Sequence, residues 1–154
     1  MIKRSAGLLV YRMRDEEIDV FLVHPGGPFW AKKDAGAWSI PKGEFETEQP
    51  LVAAMREFEE ETGLKISGDF IELKPVKQKG GKIVYAWAVE ADFDASDIQS
   101  NMFKLEWPPK SGVMRDYPEV DRAGWFDLET AKLKMLASQA GLIEQLQEFL
   151  SAAQ

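Results

Sequence analysis

Gly43-Glu44-Phe45-Glu46-Thr47-Glu48-Gln49-Pro50-Leu51-Val52-Ala53-Ala54-Met55-Arg56-Glu57-Phe58-Glu59-Glu60-Glu61-Thr62-Gly63-Leu64 is the stretch from which the rest of the chain is read. It reads as a loop followed by a helix. Pro50 suits the first helical position, where its missing N–H is not needed, and Gly63 suits the residue just past a helix end. These brackets predict a helix over 49–62. At about 100° per residue, Leu51, Ala54, Met55, Phe58 and Thr62 share one face that would dock on a core. Glu57, Glu60 and Glu61 fall together on an arc beside or opposite that stripe.

Like charges at these spacings weaken a helix by a few tenths of a kcal/mol per pair, so something positive is expected against them. Hard divalent cations such as Mg²⁺ or Mn²⁺ prefer carboxylate oxygens, and a helix holds such ligands more steadily than a loop. Arg56 flanks the cluster and could brace a carboxylate through its planar fork. The bland alternative is a solvated acidic face, since charge runs usually lie at the surface.

The whole pattern of Gly43, Glu48, Arg56-Glu57-Phe58, Glu60-Glu61 and Gly63-Leu64 resembles the signature of the Nudix hydrolases. One spacing departs from it. Four residues separate Gly43 from Glu48, one fewer than the family usually has, which leaves the role of Glu48 open. The resemblance implies an α/β fold, an α/β/α sandwich around a mixed β-sheet, and hydrolysis of a nucleoside diphosphate linked to another group. It also implies Glu57, Glu60 and Glu61 as metal ligands, with Arg56, Glu57 and Glu60 in the catalytic cluster. Attack of water on a phosphoanhydride needs screening of phosphate charge, an available nucleophile and in-line positioning, all of which a bound divalent metal can supply.

Composition agrees with carboxylate chemistry. With no cysteine and one histidine, the chain excludes disulfides and thiolate catalysis and is a poor fit to a Ser-His-Asp triad. A net charge of −7 argues against nonspecific nucleic-acid binding. The expected partner is a small nucleotide-type substrate, and no run approaches the roughly 18 apolar residues of a membrane span. The 154 residues predict a single domain over 1–154, cytoplasmic, and a monomer or homodimer.

Read in order, 5–12 and 18–24 are expected strands joined by a turn, similar to the opening hairpin of the Nudix fold. The breaker-rich run Pro25-Gly26-Gly27-Pro28-Phe29-Trp30 is a loop whose aromatics either pack beneath it or stack on a nucleobase. His24, at a strand end, has no assigned role. A short strand over 37–40 leads into Pro41-Lys42-Gly43. Trp38-x-x-Pro41-Lys42-Gly43 looks like the Nudix subgroup that includes diadenosine tetraphosphate and diphosphoinositol polyphosphate hydrolases, which implies that Lys42 faces phosphate. Gly43 would let backbone approach the phosphates closely.

A hairpin is expected from 70–78 and 83–92 around Lys79-Gly80-Gly81-Lys82, from which Tyr85, Lys82 or Lys79 could reach substrate. The stretch 93–118 reads as a long irregular connection, a candidate lid. Asp127 is an expected N-cap for a helix over 128–135, and Ser138 for one reaching 152 with Leu142, Leu146, Phe149 and Leu150 on its core stripe. Glu119 stands six residues before Trp125, where other Nudix enzymes place a catalytic or metal-binding glutamate. It is the expected further catalytic and metal-binding acid, with Asp116 and Asp121 as its rivals. Besides a pyrophosphohydrolase of nucleoside or dinucleoside polyphosphates, a non-catalytic nucleotide-sensing protein and an acidic interaction surface stay open.

Overall fold

In a computed structural model, which describes residues 2–153, the central strand is β1 (Arg4–Arg14). Its run Ala6-Gly7-Leu8-Leu9-Val10-Tyr11 is apolar without alternation, as expected of a strand covered on both faces. Leu9 and Tyr11 enter one core with Val20, Leu22, Leu142 and Leu146. Ala6, Leu8 and Val10 enter a second with Phe21, Val23, Ala54 and Phe58. The result is an α/β/α sandwich.

One edge of β1 pairs in parallel with β6 (Ile83–Glu90), while the other is shared. Arg4 to Gly7 pair with β3 (Lys42–Phe45), and Tyr11 to Arg14 with β2 (Glu17–Pro25). Both of these pairings are antiparallel, so the sheet is mixed. Its outer strands are β4 (Ile71–Glu72) and β5 (Val76–Lys77) against β6, and β9 (Val120–Asp127) against β2. At the β1–β2 turn Asp15 and Glu16 take φ of 50° and 69°, the positive pair that suits a two-residue hairpin connection.

Helix α1 (Pro50–Thr62) covers one face, with Pro50 in its first turn and Gly63 left-handed at φ 77°. On the other face lie α2 (Leu128–Lys134), capped by the Asp127 carboxylate on the Thr130 N–H, and α3 (Ala140–Ala152). Among the described residues no helix is long and apolar enough to cross a membrane.

Several local expectations need correction. The supposed loop at the start of the Gly43 stretch is β3. The strand expected over 37–40 is reduced to two single bridges, because the Trp38 N–H bonds Lys134 while Ser39 exchanges bonds with Val23. The first arm of the later hairpin is broken into β4 and β5 at Pro75, which has no N–H for the ladder. The irregular 93–118 segment contains a two-stranded ribbon, β7 (Met102–Glu106) with β8 (Met114–Pro118), whose short alternation is easily missed. Ser138 does not cap α3: it sits inside a 3₁₀ turn, Ala137–Gln139, that enters the helix directly. The helix stripes also rotate slightly. Ala53 is buried on α1 and Ile143 on α3, whereas Met55 and Phe149 are exposed.

Phe58 pins α1 to the sheet, its ring centroid 6.1 Å from both Phe21 and Phe93. Truncating a fully buried aromatic removes its contacts and leaves a cavity. Phe58→Ala is expected to lower unfolding stability by about 3–5 kcal/mol in a denaturant titration; a loss below ~1 kcal/mol would show that α1 is held mainly elsewhere.

Candidate active site

Arg56 organises the polar face of α1. Its Nε and Nη2 donate to the two Glu48 oxygens at 2.8 and 2.6 Å, a bidentate fork. Its Nη1 donates to Glu57 at 2.9 Å and to Glu60 at 3.1 Å. Glu48 is therefore the partner of Arg56 even though its loop is one residue short, and these bonds hold the guanidinium firmly in its charged form.

Gly43 lies directly beneath Glu57. A Cβ at this position would collide with the Glu57 carboxylate. The glycine is thus required by close packing of a carboxylate on β3, a reason nearer than the expected approach of phosphate. Lys42, one residue earlier, is half-buried; burial and the charge of Lys82 push its ammonium pKa down, while Glu61, Glu44 and Glu57 oppose the shift.

Burial pushes Glu61 up to about 8, reinforced by the charge of Glu57 and opposed by that of Lys42. Glu57 is also raised, by burial first, against the pull of Arg56. Glu119 is raised by burial and by the charge of Glu60. The acid distant in sequence thus stands in the electrostatic field of the helix cluster. A run of backbone bonds brings it there: Asn101 N–H to Glu60 O at 3.0 Å, Glu119 N–H to Asn101 O at 2.8 Å, and Gly26 N–H to Glu119 O at 2.9 Å.

Its rivals are elsewhere. Asp116 lies on the exposed ribbon opposite Lys104. Asp121 accepts from, or shares a proton with, the buried His24, Oδ1 to Nδ1 at 2.7 Å. His24, unassigned from sequence, uses its other ring nitrogen at 2.6 Å from the Lys33 carbonyl and so anchors the loop after β2. A lone buried histidine gives no sequence signal for such a role.

Between this loop and the sheet is a cleft of about 210 Å³. Lys42, Glu61 and Glu119 form its charged wall, and Val23, Trp30, Ile40 and Leu136 its apolar one. The two loop aromatics separate: Trp30 lines the cleft, while Phe29 is exposed and packs on Trp107 with centroids 5.1 Å apart. Tyr85 packs edge-on against Phe45 at 6.0 Å on the α1 side of the sheet and is not brought into the cleft. Lys82 reaches Glu44 at 3.9 Å, and Lys79 stays exposed in the β5–β6 turn.

The donor set fits a hard divalent cation, since every candidate ligand is a carboxylate oxygen, and for Glu57, Glu61 and Glu119 burial together with a neighbouring carboxylate disfavours the ionised form without a counter-charge. Among the described residues, however, no three of these groups stand as a ready-formed metal cage, and Arg56 holds oxygens of Glu57 and Glu60.

Glu61 also has a pH signature. Its folded pKa of about 8 lies above the ordinary value of 4.5, so between these limits the folded state binds more protons than the unfolded one. Stability of the metal-free protein should therefore fall as pH rises from 5 to 8. Glu61→Gln should flatten that fall in a series of thermal melts; an unchanged slope would place the titration elsewhere.

A NUDIX domain family model matches residues 1–146. Among solved structures, the C. elegans Ap4A hydrolase in a binary complex is 22% identical with a TM-score of 0.68, covering 98% of this chain and 99% of that one. The NUDIX domain of Shewanella oneidensis NrtR, complexed with ADP ribose, is 18% identical with a TM-score of 0.69, covering 97% of this chain and 89% of that one. A mutT/nudix family protein from Listeria innocua is 14% identical with a TM-score of 0.65, covering 98% and 95%. No curated protein sequence matches the chain. These structures share its fold, the family model spans nearly all of it, and the chain belongs to the Nudix family.

Proposed function

We propose that the protein is a metal-dependent pyrophosphohydrolase that cleaves a phosphoanhydride bond in a nucleoside or dinucleoside polyphosphate. The observation that carries this reading is that Glu119, distant in sequence, lines one cleft with Glu61 and Lys42, its charge acting on Glu57 and Glu61 of the helix cluster. Glu57 and Glu61 are raised chiefly by burial, and half-burying two neighbouring carboxylates works against stability unless it serves chemistry. The reading includes a cytosolic location and a monomer or homodimer.

In this proposal Glu57, Glu60, Glu61 and Glu119 hold Mg²⁺ or Mn²⁺, which when bound screens the phosphates, polarises them and lowers the pKa of water. The chain supplies the rest. Arg56 fixes the carboxylates through its fork, and Gly43 lets Glu57 lie against β3. Lys42 neutralises a phosphate oxygen from the cleft wall, with Lys82 adding positive charge nearby. Glu119 takes the proton of the attacking water, because its backbone is bonded on both sides and can hold the carboxylate within reach. Tyr85, expected from the sequence to bind substrate, packs on Phe45 away from the cleft and has no part in this proposal.

A second reading, a nucleotide-binding protein without catalysis, draws on the NrtR domain described with ADP ribose. Retention of all the box carboxylates favours the enzyme. Phosphate release from a panel of diadenosine tetraphosphate, nucleoside triphosphates and ADP-ribose, with and without Mg²⁺, decides between them. The Trp38-x-x-Pro41-Lys42-Gly43 run predicts that the long polyphosphates are cleaved better than ADP-ribose; ADP-ribose as clearly the best substrate would overturn that preference.

Glu60→Gln and Glu61→Gln should each lower turnover by orders of magnitude with melting curves still cooperative. Near wild-type activity of either at low Mg²⁺ would remove it from the metal site. Glu119→Gln should lower kcat by about 10²- to 10⁴-fold with KM and thermal stability nearly unchanged. If it turned over normally while Asp121→Asn or Asp116→Asn did not, the base would be that neighbour.

A further inference from the structure

Strand β9 does not run evenly along β2. From Asp127 to Arg122 its residues oppose Asp19 to His24 one for one, but the next pair is Val120 with Pro25, so Asp121 is left over as an extra residue. This one-residue bulge changes what the strand presents. Ala123 and Val120 both pack in the core beneath α1, although residues three apart in a regular strand face opposite sides. Without the bulge, the alternation would carry Val120 away from that core and turn Glu119 to the side of Ala123. With it, Glu119 lines the cleft beside Lys42 and Glu61.

The extra residue is held by its side chain. Asp121 Oδ1 lies 2.7 Å from Nδ1 of His24, the residue of β2 at which the register shifts, and Arg122 Nε is 3.7 Å from the same oxygen. His24 is wholly buried, and the Lys33 carbonyl, 2.6 Å from Nε2, keeps its ring from turning away. Just beyond, the strands are joined again by the Gly26 N–H on the Glu119 carbonyl at 2.9 Å. A bulge leaves its extra residue out of the ladder, and here the side chain supplies the cross-strand bond that the backbone lacks.

We infer that the His24–Asp121 contact clamps this bulge and thereby sets the direction of Glu119, so that His24 and Asp121 are positioning residues acting through it. This rests on the pyrophosphohydrolase reading only for what Glu119 does in the cleft; the bulge and its clamp stand on geometry alone.

Turnover of whichever panel compound is cleaved best, with kcat and KM measured separately, tests the clamp in the full chain. Asp121→Ala should lower kcat about ten- to hundred-fold, the scale on which a misplaced reacting group acts, with KM nearly unchanged. Asp121→Asn, whose amide can still bond Nδ1, should stay close to wild type. Since the clamp acts through Glu119, adding Asp121→Ala to Glu119→Gln should cost nothing further. Wild-type kcat in Asp121→Ala would overturn the inference, as would an equal loss in Asp121→Asn or full multiplication of the two losses in the double variant. If Asp121→Ala lost its cooperative melting transition, Asp121→Ser, polar but one atom too short to reach Nδ1, would replace it with the same expected losses. If the wild-type chain hydrolysed no panel compound, the enzyme reading would fail and amide hydrogen exchange would judge the clamp by itself. The Gly26 amide should then lose protection in Asp121→Ala and keep it in Asp121→Asn, with the amides of α1 unchanged. Undiminished protection of Gly26 in Asp121→Ala would overturn the clamp.

Discussion

Arg56 sets one positive charge against three carboxylates, and the arrangement of the site depends on that contact. Three acids on one helical arc repel, and burial makes the repulsion stronger because the surrounding dielectric is low. A guanidinium with five fixed donors can satisfy several partners at once; an ammonium in its place would meet them only one at a time. The fork into Glu48 orients the plane, and the remaining nitrogen then reaches Glu57 and Glu60. Glu61 is left outside this embrace and carries the largest carboxylate shift, which is where an added cation would gain most.

The sandwich exists to present that helix. The two-sided apolar character of β1 requires a cover on each face, and α1 is the cover over Ala6, Leu8 and Val10. Close packing enforces the register: Gly43 has room for a carboxylate only because it has no side chain, and Gly26 is similarly confined, since a Cβ there would run into the Pro118 carbonyl just before Glu119. The two glycines thus fix the near and far acids by the same means, absence of volume.

Much of this was readable from residues in order. Pro50 and Gly63 bracketed α1 correctly because each acts through its own backbone, and the i, i+3, i+4 acids follow from helical geometry alone. The two-sided burial of β1 was legible as an unbroken apolar run. What escaped depended on partners distant in the chain. His24 is meaningful only with Lys33 and Asp121 around it, the β7–β8 ribbon only when its two short arms meet, and the place of Tyr85 only once Phe45 lies beside it. Glu48 was left open by a loop-length rule, yet the side chain of an arginine is long enough to absorb a missing residue.

The backbone relay from Glu60 through Asn101 and Glu119 to Gly26 joins parts of the chain that are far apart in sequence. Contacts of that separation form only after the sheet has brought the ends of several loops together, since loop closure costs entropy before such bonds return any of it. Glu57, Glu60 and Glu61 are neighbours wherever α1 is helical, whereas Glu119 joins them only through this relay, so the fourth acid alone depends on the loops being in place.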